Sequence, residues 1–134
     1  MRHPNPDMLL RIAQADAYGM AVEYVKLPEH QGLVEQALSV ERYLAHPTHG
    51  LRPGQYTDDT QMSIAVSEVI LQGDFTREQF AEAFVRAFRR DQRPGYARHF
   101  QAFLEGVQDG ADFLARIRPD SDKNGAAMRS VPLG

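Results

Sequence analysis

Near the middle of the chain, Thr57-Asp58-Asp59-Thr60 sets two carboxylates between two hydroxyls, just ahead of an apolar-periodic run. Adjacent carboxylates repel, so the pair needs a source of positive charge. A helix N-terminus is one: it exposes unpaired N–H groups and carries about half a positive charge. Asp58-x-x-Gln61 even has the spacing of a capping box, with Asp in the Ser/Thr place. A hard cation is the other. Mg²⁺ prefers oxygen ligands, keeps several waters and takes one or two protein carboxylates. Thr57, Asp58 and Asp59 offer it one hydroxyl and two carboxylates at a single point.

Other candidates are weaker by themselves. Glu23 taken alone is an ordinary surface acid. Asn124-Gly125 taken alone is a turn, although exposed N–H groups ahead of a helix there could hold a phosphate or diphosphate. His46-Pro-Thr-His49 spaces two imidazoles closely, but Pro47 prevents the helical register of a zinc motif and no third ligand follows, so it reads as loop. Arg86, Arg89, Arg90 and Arg93 recur at helical spacing opposite Phe80, Phe84 and Phe88, where a solvated face belongs. The five methionines and the phenylalanines read as core packing.

The elements that must position these groups read as helices joined by turns. Asn5-Pro6-Asp7 has start chemistry, and Met8, Leu9, Ile12 and Ala13 repeat at helical spacing up to Gly19. A second helix is expected over 33–44 on a short stripe of Val34, Ala37 and Leu38. The segment HPTHGLRPGQYT, with two prolines and two glycines, is a loop. From Asp58, residues Met62, Ala65, Val66, Val69 and Ile70 share one face, and Gly73 ends the run. Thr76 and Gln79 form a capping box for a helix burying Phe80, Phe84, Ala87 and Phe88. Phe100, Phe103, Leu104 and Val107 mark a further helix. Asp109-Gly110 makes a turn before a short helix with Phe113, Leu114 and Ile117. The fold class is all-α.

Composition narrows the function classes. A chain of 134 residues suits one domain with a real core. Its net charge of −3 gives no overall electrostatic footprint for nucleic acid. With no cysteine there is neither a disulfide framework nor a thiolate metal site, in keeping with a cytoplasmic setting. Asp7, Arg11 and Asp16 break the N-terminal apolar residues, so no signal-peptide core is present. No apolar run approaches the ~18 residues of a membrane span.

Three segments together resemble the ADP-ribosylglycohydrolases, which include the dinitrogenase-reductase-activating glycohydrolases. They are ADAYGMAVEY at 15–24, GQYTDDTQM at 54–62 and SDKNGAAMRSVPLG at 121–134. The resemblance implies an orthogonal all-α helical bundle, here truncated to about its N-terminal half, with residues 1–134 as one domain portion. It also implies a dinuclear Mg²⁺ centre that cleaves the glycosidic bond at the distal ribose of ADP-ribosylated proteins or small ADP-ribose derivatives. By resemblance, Thr57, Asp58 and Asp59 are metal ligands, and Glu23 is catalytic together with Asp58 and Asp59. Ser121, Asp122, Lys123, Asn124 and Gly125 match the loop that binds ADP-ribose. Ala15 replaces the family's usual glycine, and Asp122-Lys123 stand where several relatives have an aromatic residue and a glycine.

The family's second ligand motif has no counterpart after MRSVPLG. Thr57, Asp58 and Asp59 then supply half of a two-metal site. Apolar Val131, Pro132 and Leu133 are expected to seek cover from a second copy or a complementary chain. The competing readings are a non-catalytic ADP-ribose-binding or interaction domain that keeps the family core, and a plain helical domain whose acids only cap helices.

Overall fold

The computed structural model describes residues 6–73, 75–120 and 122–133. Its helices in chain order are α1 (Pro6–Gly19), α2 (Gln31–Leu38), α3 (Asp58–Gln72), α4 (Arg77–Arg90), α5 (Arg98–Gly106), α6 (Gly110–Arg116) and α7 (Gly125–Met128). Short 3-10 turns follow α1 (Met20–Val22) and α7 (Val131–Leu133). Among the described residues there is no strand, so the architecture is all-α. No helix among them is long and apolar enough to cross a membrane.

α3 is the central helix, packed by α1 on one side, α4 on another and the C-terminal turn on a third. The apolar stripe expected on it is present, with Met62, Ala65, Val66 and Val69 buried. Ile70 is only half-buried, while Thr60, Gln61, Ser63 and Ser67 are buried although polar. A helix enclosed on several sides buries its polar positions too, and each must then find a partner. Ser63 Oγ donates to Asp59 O (2.8 Å) and Ser67 Oγ to Ser63 O (2.9 Å). Gly73 terminates α3 at φ 78°, the left-handed cap expected from the sequence.

The aromatic half of the core lies between α4, α5 and α6. Val85, Phe88, Tyr96, Leu104, Val107 and Phe113 form one cluster with Met62. Phe88 and Tyr96 meet edge to face at 5.4 Å, as do Phe103 and Phe113 at 5.0 Å, the arrangement that aromatic quadrupoles favour. Gly110 does more than turn the chain. A Cβ there would lie 2.7 Å from the Glu82 backbone nitrogen, so glycine lets α6 close onto α4.

The structure corrects one expectation. The second helix stops at Leu38 instead of reaching residue 44, and no residue of α2 is buried. A stripe that is at most half-buried, at Val34 and Ala37, gives little packing to extend a helix of marginal length. The arginine stripe lies on the surface as expected, with Arg86, Arg89 and Arg90 exposed, and it makes pairs there. Arg86 and Arg90 both pair with Glu68 on α3, at 2.9 and 2.8 Å. Arg89 donates to Val107 O (2.7 Å), while Arg93 pairs with Asp91 and stacks 4.2 Å over Tyr56. The stripe ties α4 to its neighbours.

Candidate functional site

The N-terminus of α3 is capped, but not by its own acids. Thr57 is the N-cap residue and its side chain makes no capping bond. Asp16, one turn from the end of α1, takes that place. Its Oδ2 accepts from Thr57 N–H (2.8 Å), Thr60 N–H (3.2 Å) and Thr60 Oγ1–H (2.6 Å), and its Oδ1 accepts from Thr57 Oγ1–H (2.7 Å). The capping box expected at Asp58-x-x-Gln61 does not form. Gln61 points instead to the end of α4, where Nε2 donates to Ala87 O (3.1 Å) and to Asp91 O, and Oε1 accepts from buried Tyr96 OH (2.6 Å). The reason is burial: a glutamine enclosed by α4 satisfies more polar groups there than at its own helix end.

A cap supplied from α1 leaves Asp58 and Asp59 to their surroundings. Asp58 is 8% exposed, and its Oδ1 lies only 2.0 Å from where a Cβ on Gly95 would sit. Gly95, at φ 114°, therefore provides a cradle that no side chain could share. The Asp58 N–H also donates to Pro94 O (3.1 Å), which fixes this contact. Asp59 turns toward a cleft of about 740 Å³ together with Asp16 and Glu23. Met8, Ile12, Met20, Met128 and Val131 form apolar walls, and Arg11 contributes a cation. Asp58 is buried and is not on the cleft lining.

Desolvation and like charge raise these acids together. Burial first, then the Asp59 charge, pushes Asp58 up to about 7. Burial, Asp16 and Glu23 push Asp59 up to about 6, while Arg129 opposes them. Glu23 is exposed as a residue, yet the cleft removes enough water to raise its carboxyl, with the Asp16 charge adding to the shift. Arg129 is the cation that Asp58 and Asp59 face. Its guanidinium lies 5.2 Å from the Phe84 ring centre and 5.4 Å from that of Phe100, and its Nε donates to Gly125 O (2.6 Å).

A surplus of carboxylates in a desolvated place is what a divalent cation neutralises, so the donor chemistry of Thr57, Asp58 and Asp59 fits Mg²⁺. Among the described residues, no group of three or more Asp, Glu or His side chains forms a ready-made metal cage. Waters and further ligands would complete the shell. His46 is no ligand candidate, because both of its ring nitrogens are engaged within the protein.

The C-terminal segment reaches the cleft through Met128 and Val131. Ser121 lies outside the described residues. Asp122, Lys123, Asn124 and Gly125 precede or open α7 and are not on the cleft lining, and Asp122 and Lys123 pair with each other (3.3 Å). α7 is a single turn of four residues, with too few aligned peptides for a strong N-terminal field. Val131 and Leu133 are exposed, whereas Pro132 is buried against the fold.

The family model for ADP-ribosylglycohydrolase matches residues 7–134, which takes in Asp16, Glu23, the α3 acids and Arg129. The chain belongs to the ADP-ribosylglycohydrolase family. Among curated relatives of this chain, an uncharacterized protein of Archaeoglobus fulgidus is 32% identical over 131 residues, covering 94% of this chain and 40% of the relative. The ADP-ribosylarginine hydrolase Tri1 of Serratia proteamaculans is 26% identical over 132 residues, covering 92% of this chain and 34% of that protein. The chain thus spans well under half the length of these relatives. No solved structure matches it significantly.

Three residues of this site carry no functional signal in the sequence that would single them out. Asp16 is one acid within ADAYGMAVEY, and Arg129 is one cation within the third segment. Gly95 has a local signal, its Pro-Gly pair, but that marks a turn rather than a cradle.

Proposed function

We propose that this chain supplies the N-terminal part, residues 1–134, of a magnesium-dependent ADP-ribosylglycohydrolase that cleaves the glycosidic bond of ADP-ribosylated substrates. The observation that carries the reading is the meeting of Asp16, Glu23 and Asp59 on one cleft, next in sequence to a desolvated Asp58, inside a chain of this family. Thr57, Asp58 and Asp59 are the residues that would hold Mg²⁺. When bound, such an ion supplies an acidified water and a template for ribose hydroxyls. Glu23, its carboxyl raised by burial, is suited to take a proton from the attacking water. Asp59 stabilises positive charge developing on the ribose ring in an oxocarbenium-like transition state. The apolar cleft walls flank the acids, and the resemblance assigns Ser121, Asp122, Lys123, Asn124 and Gly125 to ADP-ribose binding, although Asp122, Lys123, Asn124 and Gly125 are not on the described cleft lining.

Arginine-linked ADP-ribose is the first substrate to try, because the Serratia relative is an ADP-ribosylarginine hydrolase. Release of ADP-ribose would be followed with and without Mg²⁺, with the chain alone and with a segment equivalent to the rest of that relative. Mg²⁺-dependent release that Asp58→Asn and Glu23→Gln each abolish is the expected result. Release that survives Asp58→Asn would overturn the metal-holding role of Asp58. A second reading, ADP-ribose binding without turnover, is favoured by the lack of a ready-made ligand cage among the described residues. Calorimetric binding of ADP-ribose with no release under any combination would establish it.

A further inference from the structure

Of the two histidines in the 46–49 loop, one is in the wrong place for a plain loop residue. His46 is 8% exposed, and its two ring nitrogens do different things. Nδ1 accepts from the backbone N–H of Thr48 (3.1 Å) and of His49 (3.0 Å), which closes the turn 46–49 around the imidazole. An acceptor of two N–H groups carries no proton, so the ring proton sits on Nε2. That Nε2–H donates to the backbone oxygen of Glu23 at 2.8 Å, across 23 residues of sequence. The His49 ring stacks on His46 at 3.9 Å and 9°, which holds the imidazole plane.

The place where this bond lands is unusual. Glu23 ends the 3-10 turn, its N–H donating to Met20 O (3.3 Å), and its ψ of 130° begins the exit of the chain. The next residue, Tyr24, has φ 56°, a left-handed conformation that bulky L-residues avoid. Tyr24 is also 84% exposed, so its own packing does not hold it there. A strained backbone persists only when its surroundings over-determine it. Here Val25 N–H donates to Val22 O (3.4 Å) and closes a turn through Glu23 and Tyr24, and the His46 bond to the peptide joining those two residues holds that turn from outside.

We propose that His46 is a positioning residue that fixes where Glu23 stands at the cleft, by holding the Glu23 carbonyl through a neutral, Nε2-protonated imidazole. Its consequence for catalysis rests on the proposed role of Glu23 as the base; the anchoring itself does not. Two substitutions separate the two halves of the ring. Asn places an acceptor where Nδ1 sits, so His46→Asn keeps the turn and loses the link to Glu23. Gln places a donor near Nε2, so His46→Gln keeps the link and weakens the turn.

The test measures ¹⁵N ring shifts of His46, amide exchange over residues 23–26, and, in the assembly that turns over, kcat and KM for ADP-ribose release. The expected result is an Nε2-protonated ring and amide exchange at 23–26 at least tenfold faster in His46→Asn than in His46→Gln. Alongside it, kcat falls at least tenfold in His46→Asn with KM within twofold, and His46→Gln recovers most of kcat despite a lower Tm. An Nδ1-protonated ring, or exchange at 23–26 equal in the two variants, overturns the proposal. Equally, kcat that follows Tm across the variants, rather than the Glu23 link, reduces His46 to a structural residue. Should the wild-type assembly show no turnover, the functional reading fails while tautomer and exchange still decide the anchor.

Discussion

Two helix N-termini in this protein solve the same problem differently. α4 is capped from within its own sequence: the Thr76 side chain accepts from Gln79 N–H (3.2 Å) and Gln79 Oε1 accepts from Thr76 N–H (3.4 Å). α3 is capped from 41 and 44 positions away, by the Asp16 carboxylate on α1. The local cap serves the helix alone. The remote cap takes over the N–H groups at the start of α3 and docks α1 against it. It leaves Asp58 and Asp59 desolvated, mutually repelling and raised in pKa. Where a helix end only has to be stable, neighbouring residues suffice; where it presents chemistry, the capping work is done by another element.

The contrast can be broken most strongly at Asp16. Asp16→Ala removes the acceptor of four hydrogen bonds, two of them from backbone N–H groups. Breaking such a charged, partly buried network should cost about 4 kcal/mol in denaturant unfolding, after some relief of repulsion among the acids. Asp16→Asn, which retains one acceptor, should cost less.

Gly95→Ala comes next. A methyl 2.0 Å from Asp58 Oδ1, at φ 114°, combines overpacking with backbone strain, for a loss of about 3 kcal/mol. Because the carboxylate has to move, Mg²⁺ binding measured by calorimetry should be lost as well. Gly73→Ala, strained in φ but with nothing within 4 Å of its Cβ, is the control and should spare any such binding.

A smaller effect separates the ends by pH. Asp58 and Asp59 have folded-state pKa values raised above the unfolded 3.8, so between these limits the folded state binds more protons. Stability in metal-free buffer should therefore fall as pH rises from about 4 through about 7. Asp58→Asn should flatten that slope and leave the metal-free protein at least as stable as wild type above pH 7, while weakening divalent-cation binding. An Asp58 that merely capped α3 would give the opposite trend, with stability gained as the carboxylate ionises. Chemical denaturation across pH in the presence of a chelator distinguishes the two.

The smallest change belongs to the local cap. Thr76→Ala should cost about 1 kcal/mol in thermal unfolding and leave cation binding and the pH slope untouched. A change in either would mean that α4 and the acid site are coupled, against the independence of the two helix ends.

Much of this was legible in the sequence because the signals are local. Helical periodicity, the Thr76–Gln79 box and the Gly73 terminator are read from residues within a few positions of one another, and the structure has them where expected. The three motif segments likewise sufficed to indicate the family, and Asp58 and Asp59 stood out as acids needing compensation. What the sequence could not decide was the direction of each compensation. Asp16 capping α3, Gly95 cradling Asp58, Gln61 turning to α4 and His46 holding Glu23 are contacts between residues 23 to 44 positions apart. Spacing along the chain determines which face of a helix a residue occupies. Which partner that face meets is set by how whole helices pack, and burial then obliges every enclosed polar group to take the nearest adequate partner, whatever its place in the chain.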